Sequence, residues 1–400
     1  MLRDPLNRRM DALVRPHLRV LGRVRSSFQV CGYTGLALAV AVGAGLTLYR
    51  GLSLAVLAAV VATACATFFA LAMATKIVVG EERLIYYHHE IAILAMVTLV
   101  LRLLGQPVLA YLDVTLLGVG TFLLCGRVGC FMVGCCHGRP HSFGVRYRHE
   151  HADAGFARPF VGVRLFPIQL VESAWVLTTV TVGVAMVLRG AAPGEALAWY
   201  VVVYDVGRFG FEFARGDASR PYRAGFSEGQ WTSLLLMLVV VVAEVRGAIP
   251  LRPWHLAAAA GMIGTMAVVA VYRRLRRDAR HRLLSAAHIR EVAEAVDVLD
   301  AHGGSAAPHS GGRGLVNVAG TSAGILFSTG RNWQPGGEVR HYTLSAADGH
   351  LRAADARMLA DLLLRLRHPG RDGQIVHGRE GVFHLIVRHA GAVPAPGVPH

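Results

Sequence analysis

The chain has 400 residues, of which 54% are hydrophobic and 17% charged, and its formal charge is +15. That apolar content excludes an ordinary soluble enzyme, and repeated windows of about 20 apolar residues are long enough to cross a bilayer as helices. The positive charge is almost all arginine and flanks the apolar stretches, so it reads as a topology signal and a match for anionic phospholipid, not as a nucleic-acid footprint.

Residues 1–27 hold seven arginines among scattered Leu, Val and Met. They show no small-residue cleavage site after a short apolar core, so no signal peptide is expected. They read as a basic amphipathic arm lying on the membrane surface. Residues 28–275 form the membrane domain, with eight candidate spans at 28–49, 52–75, 85–104, 107–125, 168–189, 194–214, 228–246 and 254–273. Only Arg50 and Gly51 separate the first two, so either they form a tight hairpin or one of them is not a full span. Lipid offers the backbone no hydrogen-bond partner, so helices are the expected form. The predicted fold class is an all-α integral membrane helical bundle of about 7–8 transmembrane helices with a small C-terminal α/β tail.

The third span opens with "YYHHEIA", placing His88, His89 and Glu90 near an interface. A histidine there suits a base or a phosphate ligand, and equally suits an aromatic belt that happens to contain histidine. The seam after the fourth span reads "GRVGCFMVGCCHGRP", Gly126 to Pro140, and opens a polar loop at 126–167. Arg127 ends a span, where a guanidinium can make two parallel bonds to phosphate or carboxylate. Glycines such as Gly138 permit close backbone approach. Cys130, Cys135, Cys136 and His137 fit three readings: a soft or borderline metal site, a reactive thiol beside arginine, or small residues packing a loop that cradles a headgroup. The last is preferred, because C-x4-C-x4-C-C-H is no standard metal signature, and no metal or cofactor is expected. The six cysteines, Cys31, Cys65, Cys125, Cys130, Cys135 and Cys136, lack the dispersed spacing of a disulfide framework.

"FPIQLVESAWVL" opens the next span, with Gln169 and Glu172 on one side. They suit hydrogen bonds to a headgroup or, after Pro167, a helix start. In "YDVGRFGFEFARGD", Tyr204, Arg208, Glu212 and Arg215 are spaced by four, four and three, which puts them on one helical stripe. Ionisable groups at membrane depth cost about 2.5–3.5 kcal/mol each unless paired or wetted. An Arg208–Glu212 pair one turn apart reduces that cost, and a tyrosine and a second arginine exceed what a structural lock needs. "SEGQW" reads first as a helix cap on Ser227. "RRLRRDARHR" ends the membrane part, and residues 276–313 read as a helix followed by a flexible linker, "GGSAAPHSGGRG". Residues 314–400 read as a small α/β tail without a catalytic signature. Its strands are "GLVNVAG", "AGILFS" and "VRHYTL", its helix "AADARMLADLLLRLRH", and its closing hairpin "GQIVHGREGVFHLIVR".

Taken together these motifs resemble prolipoprotein diacylglyceryl transferase, an integral membrane family of bacterial lipoprotein maturation. The family signature G-R-x-G-N-F-x-x-G-E-x-x-G-R is met by "GRVGCFMVGCCHGR", the run Y-x3-R-F-x2-E-F-x-R by "YDVGRFGFEFAR", P-x-Q-L-x-E by "PIQLVES" and S-x-G-Q by "SEGQ". Tyr33 and Gly35 in "CGYTG" look like the family's Tyr-Gly, and the order of all these elements is kept over about residues 28–246. The chain departs from the pattern at Cys130, where the family has asparagine, and at Cys135, where it has glutamate. It also lacks the His-Gly-Gly segment, near whose place His88 and His89 stand.

The resemblance implies transfer of a diacylglyceryl group from phosphatidylglycerol to the lipobox cysteine of a preprolipoprotein, in the cytoplasmic (inner) membrane of a bacterium. The implied partners are phosphatidylglycerol, preprolipoprotein signal peptides and membrane lipids, with no nucleic acid. Arg127, Arg208, His89 and Glu212 are the implied catalytic residues. Tyr33, Cys130, Cys135, Gly138, Gln169, Tyr204, Arg215 and Gln230 are the implied substrate-binding residues. The rival readings are a different phospholipid-handling or thiol- or metal-dependent enzyme on the same scaffold, and a non-catalytic lipid-binding protein. Charge bias places the arm, the 126–167 loop and "RRLRRDARHR" inside, whereas the resemblance implies that the loop faces outward.

Overall fold

A computed structural model describes residues 3–80, 85–217, 222–276, 282–301, 305–306, 317–334 and 337–390. All eight apolar stretches are helices: α2 (Ser27–Tyr49), α3 (Leu54–Val79), α4 (Tyr86–Leu103), α5 (Val108–Val133), α7 (Ile168–Leu188), α8 (Glu195–Ala214), α9 (Glu228–Val245) and α10 (Pro253–Arg276). Six of them are apolar and long enough to cross a membrane; α4 and α8 are not among these six. The reason is composition. Helix α8 carries Glu195, Asp205, Arg208 and Glu212, and α4 carries two histidines, Glu90 and Arg102. Both pack among the six, so His89, Glu90, Asp205, Arg208 and Glu212 are shielded by protein, as membrane-depth charges require, while His88 and Arg102 are exposed on α4.

Helix ends follow the local residues. Pro107 precedes α5 and Gly134, at φ 87°, ends it in the left-handed region that glycine adopts without penalty. Helix α5 is the axle of the bundle: 67% of its apolar window is buried, against 11% for α3 at the lipid-facing edge. Small residues let neighbours approach it closely. A Cβ at Gly35 of α2 would stand 2.9 Å from Cys125, and one at Gly120 would stand 2.4 Å from the Tyr200 ring.

Successive helices alternate in direction, so the connections fall on two faces. On one, the Tyr49 hydroxyl donates to the Leu188 carbonyl (2.5 Å), Arg50 to Ala191 (2.8 Å), and Gly194 N–H to Asp113 (2.9 Å). The other face carries the arm, the 134–167 loop, the α8–α9 connection and the tail. The loop is a short sheet, β3 (Pro140–Arg146) on β4 (Arg164–Leu165), with the one-turn helix α6 (His149–Asp153).

The arm differs from a continuous surface helix. It is helical over α1 (Arg3–Leu13) and then turns into a hairpin, β1 (His17–Val20) and β2 (Arg23–Ser26), through Leu21 and Gly22 at φ 49° and 76°. Two positive φ values are what a two-residue hairpin needs. Helix α1 docks on the loop: Asn7 exchanges bonds with Ser142 and Gly144, and Asp11 binds Arg146 N–H and the Arg164 guanidinium.

The tail is α/β, as its residues predict. A six-stranded sheet runs in the order β9 (Gly373–His377), β10 (Val382–Ala390), β8 (Gly337–Ala346), β7 (Ile325–Gln334) and β5 (Ser305–Ala306), with β6 (Val318–Gly320) also on β7. Most of "GGSAAPHSGGRG" lies outside the described residues. Helices α11 (Ala286–Ala301) and α12 (Ala353–Arg367) join the sheet to the loop. Val292, Val296 and Leu363 belong to the same apolar cluster as the loop's Tyr147, Phe156 and Phe160. The Arg139 guanidinium also donates to the Leu284 carbonyl at 3.0 Å.

Candidate active site

The stripe read from α8 is buried as a unit: Tyr204, Arg208, Glu212 and Arg215 are each at most 6% exposed. Within it, Arg208 Nη2 lies 2.5 Å from Glu212 Oε1, and Arg215 Nη1 lies 3.7 Å from the same atom. Arg127, on the last turns of α5, and Arg208 both face Glu172 of α7, at 3.0 and 3.9 Å from its Oε1. The Tyr204 hydroxyl donates to that oxygen at 3.0 Å. Arg215 closes the group with two 3.0 Å bonds to Asp217. Three arginines therefore meet three carboxylates, the arrangement that makes buried charge tolerable.

The balance is electrostatic but not complete in hydrogen bonds. Arg127 Nε and Arg208 Nε and Nη1 are buried donors without a hydrogen-bond acceptor among the described residues. Gly229, in the first turn of α9, lies over the pair: a Cβ there would be 3.3 Å from Glu212 Oε1 and 3.6 Å from Arg208 Nη2.

A layer of tyrosines ties this cluster to α4. Tyr200 stacks on Tyr204, Tyr86 meets Tyr200 at 3.1 Å through their hydroxyls, and Tyr87 bridges Asp205 (2.7 Å) and Ser233 (2.6 Å). His89 is buried on the same helix. Its Nδ1 donates to the Ile85 carbonyl at 3.0 Å and its ring lies against Phe68. Because a carbonyl only accepts, that bond puts the proton on Nδ1 and the lone pair on Nε2 in the neutral ring. Tyr33 stands apart, 72% exposed on α2.

The loop residues are drawn in by backbone pairing. Gly138 bridges to Arg215, and a Cβ on it would be 2.3 Å from the Phe166 carbonyl oxygen, so only glycine fits. Gln169 donates to the Cys135 carbonyl at 2.9 Å and thereby serves the loop's shape. The sulfurs of Cys130, Cys135 and Cys136 lie within 4.8 Å of one another. Hydrogen bonds from Cys130 and Cys135, aided by the Arg215 and Arg127 charges, hold the Cys136 thiol well below the ordinary thiol range despite burial. His137 is pushed below the usual histidine range by burial.

Gln230 acts as a cap. Its Oε1 accepts from Ser227 N–H (3.0 Å) while Ser227 Oγ accepts from Gln230 N–H (3.3 Å), a reciprocal capping box at the start of α9.

Sequence spacing alone left the role of Glu172 open between a headgroup contact and a helix start, and the pairing settles it as the hub of the arginine cluster. A buried acid within an apolar span was the available signal. Asp205, Asp217 and Gly229 carried no signal that separated them from structural residues.

The family model for prolipoprotein diacylglyceryl transferase matches residues 53–246. The phosphatidylglycerol–prolipoprotein diacylglyceryl transferase of Clostridium tetani is 28% identical over 134 residues, covering 33% of this chain and 51% of the relative. The corresponding transferase 2 of Streptomyces coelicolor is 30% identical over 151 residues, covering 36% and 44%. That of Dehalococcoides mccartyi strain BAV1 is 28% identical over 130 residues, covering 32% and 48%. The chain spans about half the length of these curated relatives.

Proposed function

We propose that the chain, whose residues 53–246 match the prolipoprotein diacylglyceryl transferase family model, transfers a diacylglyceryl group from phosphatidylglycerol to a cysteine thiol of a preprolipoprotein. The setting is the cytoplasmic membrane of a bacterium, and the acceptor is the lipobox cysteine of a signal peptide. In this reaction the C–O bond at the glyceryl carbon breaks, a C–S bond forms, and glycerol-1-phosphate leaves with the electron pair. The thiol gives up its proton.

One observation carries the reading: Arg127 and Arg208, from separate helices, converge on one point in an apolar bundle with guanidinium donors still unspent. A phosphate leaving group needs such preorganised positive charge in a partly dry site. Glu172 and Glu212 keep the arginines in place, and Tyr204 and Arg215 support Glu172 and Glu212 in turn. In this reading Gly138 and Gln169 shape the loop beside the headgroup, and Gln230 fixes the start of α9. His89 Nε2 supplies the base for the thiol. Tyr33, on the exposed face of α2, meets lipid.

The test is a cell-free assay with the purified protein, phosphatidylglycerol vesicles and a lipobox peptide. The reading expects a thioether-linked peptide by mass spectrometry together with released glycerol phosphate. Folded, intact protein that forms neither product overturns it.

A further inference from the structure

The three cysteines of the signature loop are brought together by features that phosphate binding does not require. Helix α5 presents Cys130 in its last turn and then stops at Gly134, whose φ of 87° turns the chain back over that turn. A side chain at Gly134 would also collide with Phe156, 2.7 Å from its Cβ. Cys136 then takes φ 53°, a conformation costly for a residue with a Cβ. The other described non-glycine residues with positive φ, Leu21 and Ala224, each precede a glycine in a tight turn between paired strands, where such values are ordinary. At Cys136 the turn is not a hairpin; its result is that three sulfurs from residues 130, 135 and 136 lie within 4.8 Å of one another.

The number of sulfurs and the local charge together narrow the purpose. A disulfide would consume two thiols and leave the third without a role. The surrounding arginines, Arg127, Arg208 and Arg215, are already matched by Glu172, Glu212 and Asp217. Three thiolates added to that balanced group would leave a net charge of three minus at a site that runs from buried Cys130 to exposed Cys135. A divalent cation reduces it to one minus, whereas a monovalent one leaves two minus. Thiolate donors select soft and borderline ions, and zinc-type d10 ions accept three sulfurs without a demand for one geometry. His137 does not join the group of sulfurs that lie within 4.8 Å of one another; its Nδ1 donates to the Gly138 carbonyl at 2.9 Å and its ring packs against Phe156 and Phe160. We propose that Cys130, Cys135 and Cys136 form a trithiolate site for a zinc-type d10 divalent cation, one helical turn from Arg127. The site is independent of the transfer reaction proposed above.

The test uses the full chain, free of any histidine tag, reduced and held anaerobically in detergent, with Cd2+ as the probe. Titration is expected to give a thiolate-to-cadmium charge-transfer band that saturates at one cation per chain and is displaced by Zn2+. The band is expected to disappear in Cys130→Ser, Cys135→Ser and Cys136→Ser and to persist in Cys65→Ser. Zn2+ is further expected to protect those three thiols of the unmodified chain from N-ethylmaleimide, read by peptide mass spectrometry, which keeps the test valid if a serine variant misfolds. Absence of the band, its survival in all three serine variants, or Zn2+ protection that leaves these thiols fully alkylated overturns the proposal.

Discussion

Glu172 is the residue on which the cluster's electrostatics turn, because one of its oxygens faces Arg127, Arg208 and the Tyr204 hydroxyl at once. Replacing it by glutamine keeps the shape and removes the charge, leaving two arginines short of compensation. Breaking a buried pair from one side costs about 3–5 kcal/mol. Glu172→Gln is therefore expected to lower the thermal midpoint and to abolish transfer, measured by detergent-solubilised melting and the thioether assay. Tyr204→Phe removes a single bond to that carboxylate, worth about 1.5–3 kcal/mol, and is expected to produce a smaller loss in both measurements. Equal losses from the two variants would show that Glu172 is not the hub.

At the scale of elements, helix α9 separates two roles that the sequence segment "SEGQ" runs together. The Gln230 side chain is committed to Ser227 N–H and to the Phe209 carbonyl, so it orders the helix start. Gln230→Ala is expected to cost about 1 kcal/mol of stability, as loss of a capping partner does. The KM for phosphatidylglycerol should stay unchanged; a selective rise in KM would make Gln230 a substrate contact instead. The α8 stripe was legible in sequence because residues four, four and three apart must share a helix face whatever the helix packs against. Six of the eight helices were legible for the same kind of reason, as apolar length alone signals them, whereas ionisable residues dilute that signal in α4 and α8. The hub role of Glu172 was not, since its partners come from two other helices and meet only through packing. Nor was the gathering of Cys130, Cys135 and Cys136, which depends on left-handed backbone at Gly134 and Cys136 that no linear spacing declares. The docking of α1 on the loop escaped notice too, because Asn7 and Asp11 look like ordinary surface residues until their partners are known.

For the whole molecule, the arm, the signature loop and the tail share one face. Whether that face is inside, as the arginine bias suggests, or outside, as the family resemblance implies, the three must answer together. Single cysteines introduced at Leu6, Arg158 and His350 are expected to react alike with a membrane-impermeant thiol reagent in intact spheroplasts. A cysteine at Gly190, on the opposite face, is expected to react oppositely. Any split among the first three would break the topology. The tail completes the apolar cluster around Tyr147, Phe156 and Phe160, and none of its described residues pairs with the arginine site. Deleting residues 283–400 is thus expected to lower the thermal midpoint while folded molecules keep transfer activity; loss of activity in folded, truncated protein would assign the tail a direct role.

The proposed joint action of Arg127 and Arg208 on one lipid anion is open to a double-mutant cycle. A lysine cannot reproduce the guanidinium's paired donors, so Arg127→Lys and Arg208→Lys are each expected to lower kcat/KM for phosphatidylglycerol by about 10²–10³-fold. The double variant is expected to lose far less than the product of the two single losses, because either change already breaks the shared site. Losses that simply multiply would mean that the two arginines work at separate places, and would contradict the proposed joint action.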